Sequence, residues 1–203
     1  MALEPVAWKV VEGRNLANEP RDDLIVDGIV PADAVVGPAE IDASELRRRG
    51  ALARACMMAG ALERVLEASS WWLRQREQFG SPIGRFQAVQ QQVAQLAGEV
   101  AATVASTDAA ANAEQLAPAP HAVAAAKVRA SEAAGVAAGI AHQLHGAIGL
   151  TQEHDLHHLT RRLWSWRDEY GSEVHWGRLL GERLMGAGEA GVWPLLTTLG
   201  TAR

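Results

Sequence analysis

The stretch Pro120–Gly146, "PHAVAAAKVRASEAAGVAAGIAHQLHG", limits the possible folds more than any other. Val123, Ala126, Ala130, Ala133, Ala137, Ile140 and Leu144 recur at three- and four-residue steps, which predicts a long helix with an almost all-alanine seam. Side chains that small let neighbouring helices approach closely, so the seam belongs inside a bundle. Two more helices of similar length precede it. Asp42 and Glu45 are spaced as an N-terminal capping pair, and Leu52, Ala55, Ala59, Leu62, Leu66, Ser69 and Leu73 carry a helical period to about Arg76. Gly80, Pro82 and Gly84 in "EQFGSPIG" stop that helix. Phe86, Val89, Val93, Leu96, Val100 and Val104 mark one face of the next, and "APAP" at Pro118 and Pro120 separates it from the alanine helix. "HGAIGLTQEHD" breaks the third helix at Gly146 and Gly149. A short helix from about His154 to Trp166 and a last one from about Ser172 to Met185 follow. The expectation is a mainly α fold, an antiparallel helical bundle of three long and two shorter helices over 42–203.

Residues 1–41 read differently. From Val6 to Gly37, Val and Ile come in short bursts broken by Glu-Gly, Asn-Glu-Pro, Asp-Gly and Val-Pro, and "DLIVDGIV" is the best strand candidate. Two or three strands bury no face alone, so this region reads as a β remnant and linker, the end of a sheet whose remainder is elsewhere. With 48% hydrophobic residues in 203, the chain can build a real core, drawn from Ala, Leu and Val because aromatics are only 5%. A formal charge of -5 with no Lys/Arg block argues against a nucleic-acid partner. Cys56 is the only cysteine, which excludes a disulfide framework and a thiolate metal site. It is expected as a small buried hydrophobe. "MALEPVAWKVVEG" lacks the pattern of a signal peptide, and no apolar run is long enough for a membrane span. A soluble, cytoplasmic chain with no membrane partner is expected, its Gly-rich C-terminal tail loosely ordered.

The stretch Arg74–Glu99, "RQREQFGSPIGRFQAVQQQVAQLAGE", carries a more specific signal. A Gly/Pro-broken turn between two long helices exposes backbone N–H groups and holds Arg76 near a helix end, which suits a pyrophosphate. The stretch resembles the flavin-contacting turn of the acyl-CoA dehydrogenase family, R-x-Q-F-G-x-P-I followed by F-Q. "QLHGAIGLTQEHDLHHLTRRL" is similar to that family's second signature, Q-x-x-G-G-x-G and a short helix with a paired basic end. "VPADAVVG" ahead of the bundle matches as well, so the resemblance covers nearly the whole chain. It implies the family's C-terminal helical domain and the FAD-dependent α,β-desaturation of an acyl-CoA thioester. It also implies that Arg76, Gln78, Phe79 and Gln87 contact an FAD shared across a subunit interface, with Gln143, Gly146 and Ala147 near its adenine end and Ser172 a further cofactor contact. Ala147 stands where the family usually has a second glycine, which loosens backbone approach there.

The family's catalytic base is a carboxylate in a Y-E-G-T-like stretch between the last two helices. Counted from Gln143 without gaps, that place falls on Tyr170, with Gly171 and Ser172 matching the Gly-Thr and Glu169 one residue early. Some branches take the base from the first long helix, where the count back from Arg76 lands near Gly50, with Glu45 more than a turn away. A tyrosine, with an ordinary pKa of about 10, is protonated at neutral pH and a poor base. Glu169 is the only local carboxylate to test as base, and capping or pairing with Arg161, Arg162 or Arg167 is its alternative. If a substrate site forms here, the Tyr170 backbone amide is the oxyanion donor.

Family subunits normally carry an N-terminal helical domain and a complete middle β-domain ahead of the bundle. About 37 residues here correspond to the end of that middle domain. The chain is therefore expected not to hold FAD tightly alone. It would be a fragment or work beside a fuller acyl-CoA dehydrogenase subunit, as the supporting, base-deficient partner in a homo- or hetero-oligomer. A non-catalytic scaffold subunit and a flavin-free bundle that kept only the fold are the alternatives. His154, His157 and His158 in "HDLHH" lie where the family has no metal, and none is expected. Trp71, Trp72, Trp164, Trp166 and Trp176 are expected as core or interface anchors.

Overall fold

The computed structural model describes residues 8–26 and 41–186. The second half of "DLIVDGIV", the "VPADAVVG" stretch and the C-terminal tail lie outside the described residues. β1 (Trp8–Val11) and β2 (Asp23–Val26) pair antiparallel, with Val11 opposite Asp23 and Lys9 opposite Ile25. Their connection is tightened by Asn15 N–H donating to Glu19 O at 3.0 Å and Arg21 N–H donating to Gly13 O at 2.8 Å. Leu24, Ile25 and Val26 are exposed, as expected of a two-stranded ribbon whose faces no other described element covers.

α1 (Ala43–Gln75) starts where the capping pair predicts: the Asp42 carboxylate accepts from the Glu45 N–H at 2.7 Å. A small hairpin follows, β3 (Glu77–Gln78) and β4 (Ser81–Pro82), then a 3-10 turn at Ile83–Arg85. α2 (Gln87–Leu116) and α3 (Pro120–His145) complete the three long helices, and Pro120 occupies the first turn of α3, where no N–H is needed. A 3-10 turn at Gly146–Leu150 leads to α4 (Leu156–Asp168) and α5 (Glu173–Gly186).

The alanine seam is the centre of the molecule, and α3 touches each of the other four helices. Val123, Ala126, Ala130, Ala133 and Ala137 are fully buried, against Ala51, Ala55, Met58, Leu62 and Val65 of α1 and Leu96 and Val100 of α2 in one cluster. Two expectations fail on geometry. Cys56 is exposed, because the buried face of α1 runs through Ala55, Met58, Ala59 and Leu62, and a residue one step past Ala55 is turned about 100° away. Phe86 precedes α2 and lies half-exposed, because the chain is still extended there. The tryptophans divide: Trp166 and Trp176 are buried, whereas Trp71 and Trp164 are exposed. No described helix is long and apolar enough to cross a membrane.

Candidate functional site

The residues singled out from the sequence fall into two groups at opposite ends of α1. At its C-terminal end, Arg76 caps the helix through its N–H to Trp72 O at 2.8 Å, and its own carbonyl accepts from Ile83 N–H at 2.8 Å. The Arg76 side chain is exposed and makes no ion pair among the described residues. Phe79 and Gly80 form the two-residue tip of the β3–β4 hairpin, both with positive φ (52° and 78°). A glycine takes that conformation freely, a phenylalanine only at a cost of about 1–2 kcal/mol. Phe79 is 94% exposed and meets Phe86 edge-on at 6.1 Å. Gln78, Phe79, Phe86, Val89 and Gln143 line one shallow cleft of about 340 Å³, which brings the hairpin and the end of α3 together.

Gly146 ends α3 with φ 65°, and both it and Ala147 are exposed. The loop behind them rests on stacked rings: Trp72 on His145 at 5.6 Å, and His154 edge-on to His145 at 4.8 Å. His145 is buried with its Nδ1 2.7 Å from Ala141 O, so Nδ1 carries the proton. Burial pushes its pKa down, only partly opposed by that hydrogen bond. Gly149 is needed here, since a Cβ would lie 2.8 Å from the Cβ of His145.

The second group lies against the N-terminal half of α1. α4 ends at Asp168, Glu169 is extended, and Tyr170 and Gly171 both have positive φ (57° and 105°) before α5 begins. Trp176 Nε1–H donates to Tyr170 O at 3.1 Å and Gly171 N–H to Asp168 O at 3.2 Å, which pins the turn. The Tyr170 ring then lies directly on Gly50, where a Cβ would overlap its Cγ, Cδ1 and Cε1. The two positions at which the sequence comparison looked for a carboxylate are thus in contact, and neither is acidic.

Glu169 points elsewhere. Its Oε2 is 2.6 Å from Arg54 Nε, and its Oε1 is 2.6 Å from Arg21 Nη2 and 3.1 Å from Asn15 Nδ2. The expected partners are engaged with others: Arg161 donates to Leu16 O at 2.6 Å, Arg162 meets Glu19 at 3.4 Å and Arg167 pairs with Glu173. Sequence reasoning missed Asn15, Glu19, Arg21 and Arg54 because they come from elements far from α4 in the chain. Beside Glu169, Glu19 accepts from Asn15 at 2.8 Å and from Trp166 Nε1–H at 2.9 Å. Burial pushes the Glu19 pKa up, but hydrogen bonds from Asn15, Trp166 and Arg162 and the Arg21 charge together hold it below the ordinary value.

From Gly50 to Arg76 along α1 is roughly 39 Å at 1.5 Å per residue. Ser172, two residues past Tyr170, therefore stands apart from Arg76, Gln78, Phe79, Gln87, Gln143, Gly146 and Ala147.

The described chain is thus a helical bundle with a polar, aromatic-tipped hairpin after its first helix and a pinned turn between its last two. The family profile described as "Acyl-CoA dehydrogenase, C-terminal domain" matches residues 44–183, and the chain belongs to that family. Among curated proteins it is similar to "Acyl-CoA dehydrogenase IpdE2" of Mycobacterium tuberculosis, 40% identical over 107 residues, covering 53% of this chain and 32% of that one. The protein of the same name from Mycolicibacterium smegmatis is 35% identical over 115 residues, covering 57% and 36%. The chain thus spans about a third of the length of these relatives. Among solved structures, the ChsE4-ChsE5 complex from Mycobacterium tuberculosis superposes with a TM-score of 0.81 at 28% identity, over 88% of this chain and 49% of that one. A glutaryl-coenzyme A dehydrogenase complexed with glutaryl-CoA gives 0.79 at 27%, over 91% and 49%.

Proposed function

We propose that this chain is the supporting, base-deficient subunit of an FAD-dependent acyl-CoA dehydrogenase, working beside a fuller subunit of the same family. The observation that carries the reading is the contact of Tyr170 with Gly50. Both places from which the family draws a base are non-acidic here, and the adjacent carboxylate is tied to two arginines. The flavin-facing end keeps residues of suitable chemistry. Arg76 would meet the pyrophosphate as an exposed cation, the Gln78 and Gln143 amides would hydrogen-bond in the cleft, and Phe79 would offer an aromatic face. Gln87, Gly146 and Ala147 would complete that contact by side chain and by close backbone approach. FAD would supply the hydride acceptor, and this chain would bind and orient it.

At the other end the Tyr170 N–H donates to no described residue, so it would polarise a thioester carbonyl placed there, with Ser172 beside it. With roughly 39 Å between the two ends, one chain would touch one flavin at its Arg76 end and another at its Tyr170 end. A shared cofactor in an oligomer fits this, and the ChsE4-ChsE5 complex supports a partner of the same family. On this reading 1–41 is the end of a middle β-domain and 42–203 the helical domain.

The test is co-expression with a full-length acyl-CoA dehydrogenase subunit, scored by FAD per complex with and without Arg76→Ala. Loss of flavin in the variant is expected. An assembled complex whose FAD content ignores Arg76→Ala overturns the flavin contact and leaves a scaffold subunit.

A further inference from the structure

Lys127 is fully buried among the alanines of α3, a costly place for an ammonium group. Its Nζ donates to three oxygens: Ser131 Oγ at 3.2 Å, Trp166 O at 3.0 Å and Arg167 O at 2.6 Å. The last two are carbonyls of the final turn of α4, which a helix cannot satisfy internally. Asp168 O, the next carbonyl, accepts from Gly171 N–H. The end of α4 is therefore closed from inside the core by a side chain of another helix, and a cation at a helix C-terminus also complements its dipole.

We infer that Lys127 is a positioning residue for the α4–α5 turn: by ending α4 at Asp168 it sets the direction in which the Tyr170 ring leaves the helix and holds it over Gly50. One further helical residue would rotate Tyr170 by about 100° and carry the ring off α1. Without the ammonium, Trp166 O and Arg167 O would be left with Ser131 Oγ alone, 3.4 Å from the second of them. The relevance to catalysis rests on reading this turn as the wall of an acyl site; the placement of the ring does not.

Lys127 can also be followed by titration. Burial pushes its pKa down to about 8, against the pull of Asp168, Glu173 and Glu169, with Arg167 adding to the decrease. These groups face it from α4, the turn and α5, while Ser131 shares its own helix.

Tyr170 is the only tyrosine in the chain, so ¹³C-ring-labelled tyrosine gives an NMR signal from this position alone. The wild-type chain is compared with Lys127→Met, whose helical content is checked by circular dichroism. Movement of the ring signal in Lys127→Met to the position of free tyrosine is expected, because neither Trp166 O nor Arg167 O then has the donor that ends α4. A folded Lys127→Met whose ring signal is unmoved overturns the inference. If Lys127→Met does not fold, Lys127→Gln, too short to serve both carbonyls, is measured in the same way, and a folded variant with an unmoved ring again overturns it. No flavin, acyl-CoA or partner is present in this experiment, so its failure is separate from failure of the proposed function.

Discussion

Replacing Glu169 by Gln separates the two roles open to that carboxylate. The structure makes it a strut: Oε2 holds Arg54 of α1, while Oε1 holds Arg21 and Asn15 from the β1–β2 connection. The Glu169 and Arg54 side chains are 17% and 18% exposed and meet as an ion pair without an aligned hydrogen bond. Removing one charge leaves a largely buried partner uncompensated, which costs about 2 kcal/mol once the value for a fully buried pair is discounted for partial exposure. Arg21 is 34% exposed, and its pair is discounted to about 0.5 kcal/mol. Glutamine keeps one acceptor and turns an N–H toward a guanidinium, so a loss of about 2.5 kcal/mol is expected. With an unfolding entropy near 2.1 cal/mol/K per residue over 203 residues, Tm should fall by about 6 °C. Calorimetry measures the first quantity, and hydrogen exchange over residues 8–26 should show the ribbon losing protection before the bundle. In a complex with a fuller subunit, the flavin-reduction rate at saturating acyl-CoA should stay within about twofold, since no base is removed. A Tm shift under about 1 °C with an intact ribbon would refute the strut. A rate loss of about a hundredfold or more with an unchanged Tm would make Glu169 the base after all.

Gly50→Ala should raise helix propensity by about 1 kcal/mol while forcing the Tyr170 ring outward. Near-constant stability with a changed tyrosine NMR signal is therefore expected, and an unmoved ring would contradict the contact. Acid should loosen the molecule in two steps. The pKa of His145 is depressed, so the stability it contributes is complete above about 6.5 and lost as pH falls through its folded value. Glu19, also depressed, releases the ribbon below about pH 4.5, and exchange protection of residues 146–150 against 8–26 distinguishes the steps. In alkali the sign is the same for Lys127. Its folded pKa of about 8 lies below the unfolded 10.5, so unfolding free energy should rise between these values, by at most about 3 kcal/mol, and Lys127→Met should flatten the rise in chemical denaturation.

The bundle was readable in the sequence because its information is local and periodic. The alanine seam, the Asp42 cap and the Gly/Pro stops each act within a few residues, and α1 to α5 begin and end within two residues of where those signals fall. The placement of Glu169 was not readable for the opposite reason. Its partners Asn15, Arg21 and Arg54 stand 154, 148 and 115 residues away in sequence and are recruited by docking of the β1–β2 connection on α4 and of α4 on α1, which no periodicity encodes. Arg161, Arg162 and Arg167 are near in sequence but take other acceptors. Lys127 was hidden by its setting, since a lysine in an alanine helix reads as a surface residue until α4 is docked over it. The gap-free count falls on Tyr170 and the count back from Arg76 falls near Gly50, yet only the fold puts those two places in contact.

Phe79 and Tyr170 are both aromatic, both left-handed at φ 52° and 57°, and both followed by a left-handed glycine. Each conformation costs about 1–2 kcal/mol that a glycine or asparagine would avoid. Burial within this chain offsets almost none of it at Phe79, which is 94% exposed, whereas Tyr170, 44% exposed, recovers its cost by lying on Gly50. Strain of this size stays in place only where the surroundings over-determine it, and here they do. The β3–β4 pairing fixes Phe79, while Lys127, Trp176 Nε1–H and Gly50 fix Tyr170. Two fixed, strained rings with exposed faces near opposite ends of one helix would suit a bundle that contacts a different neighbour at each end. A cofactor or subunit covering either ring would supply the apolar contact that the isolated chain lacks, about 25 cal/mol for each Å² removed from water. On that argument the assembled complex should be more heat-stable than this chain alone, and Phe79→Gly should weaken assembly while leaving the Tm of the isolated chain unchanged or higher.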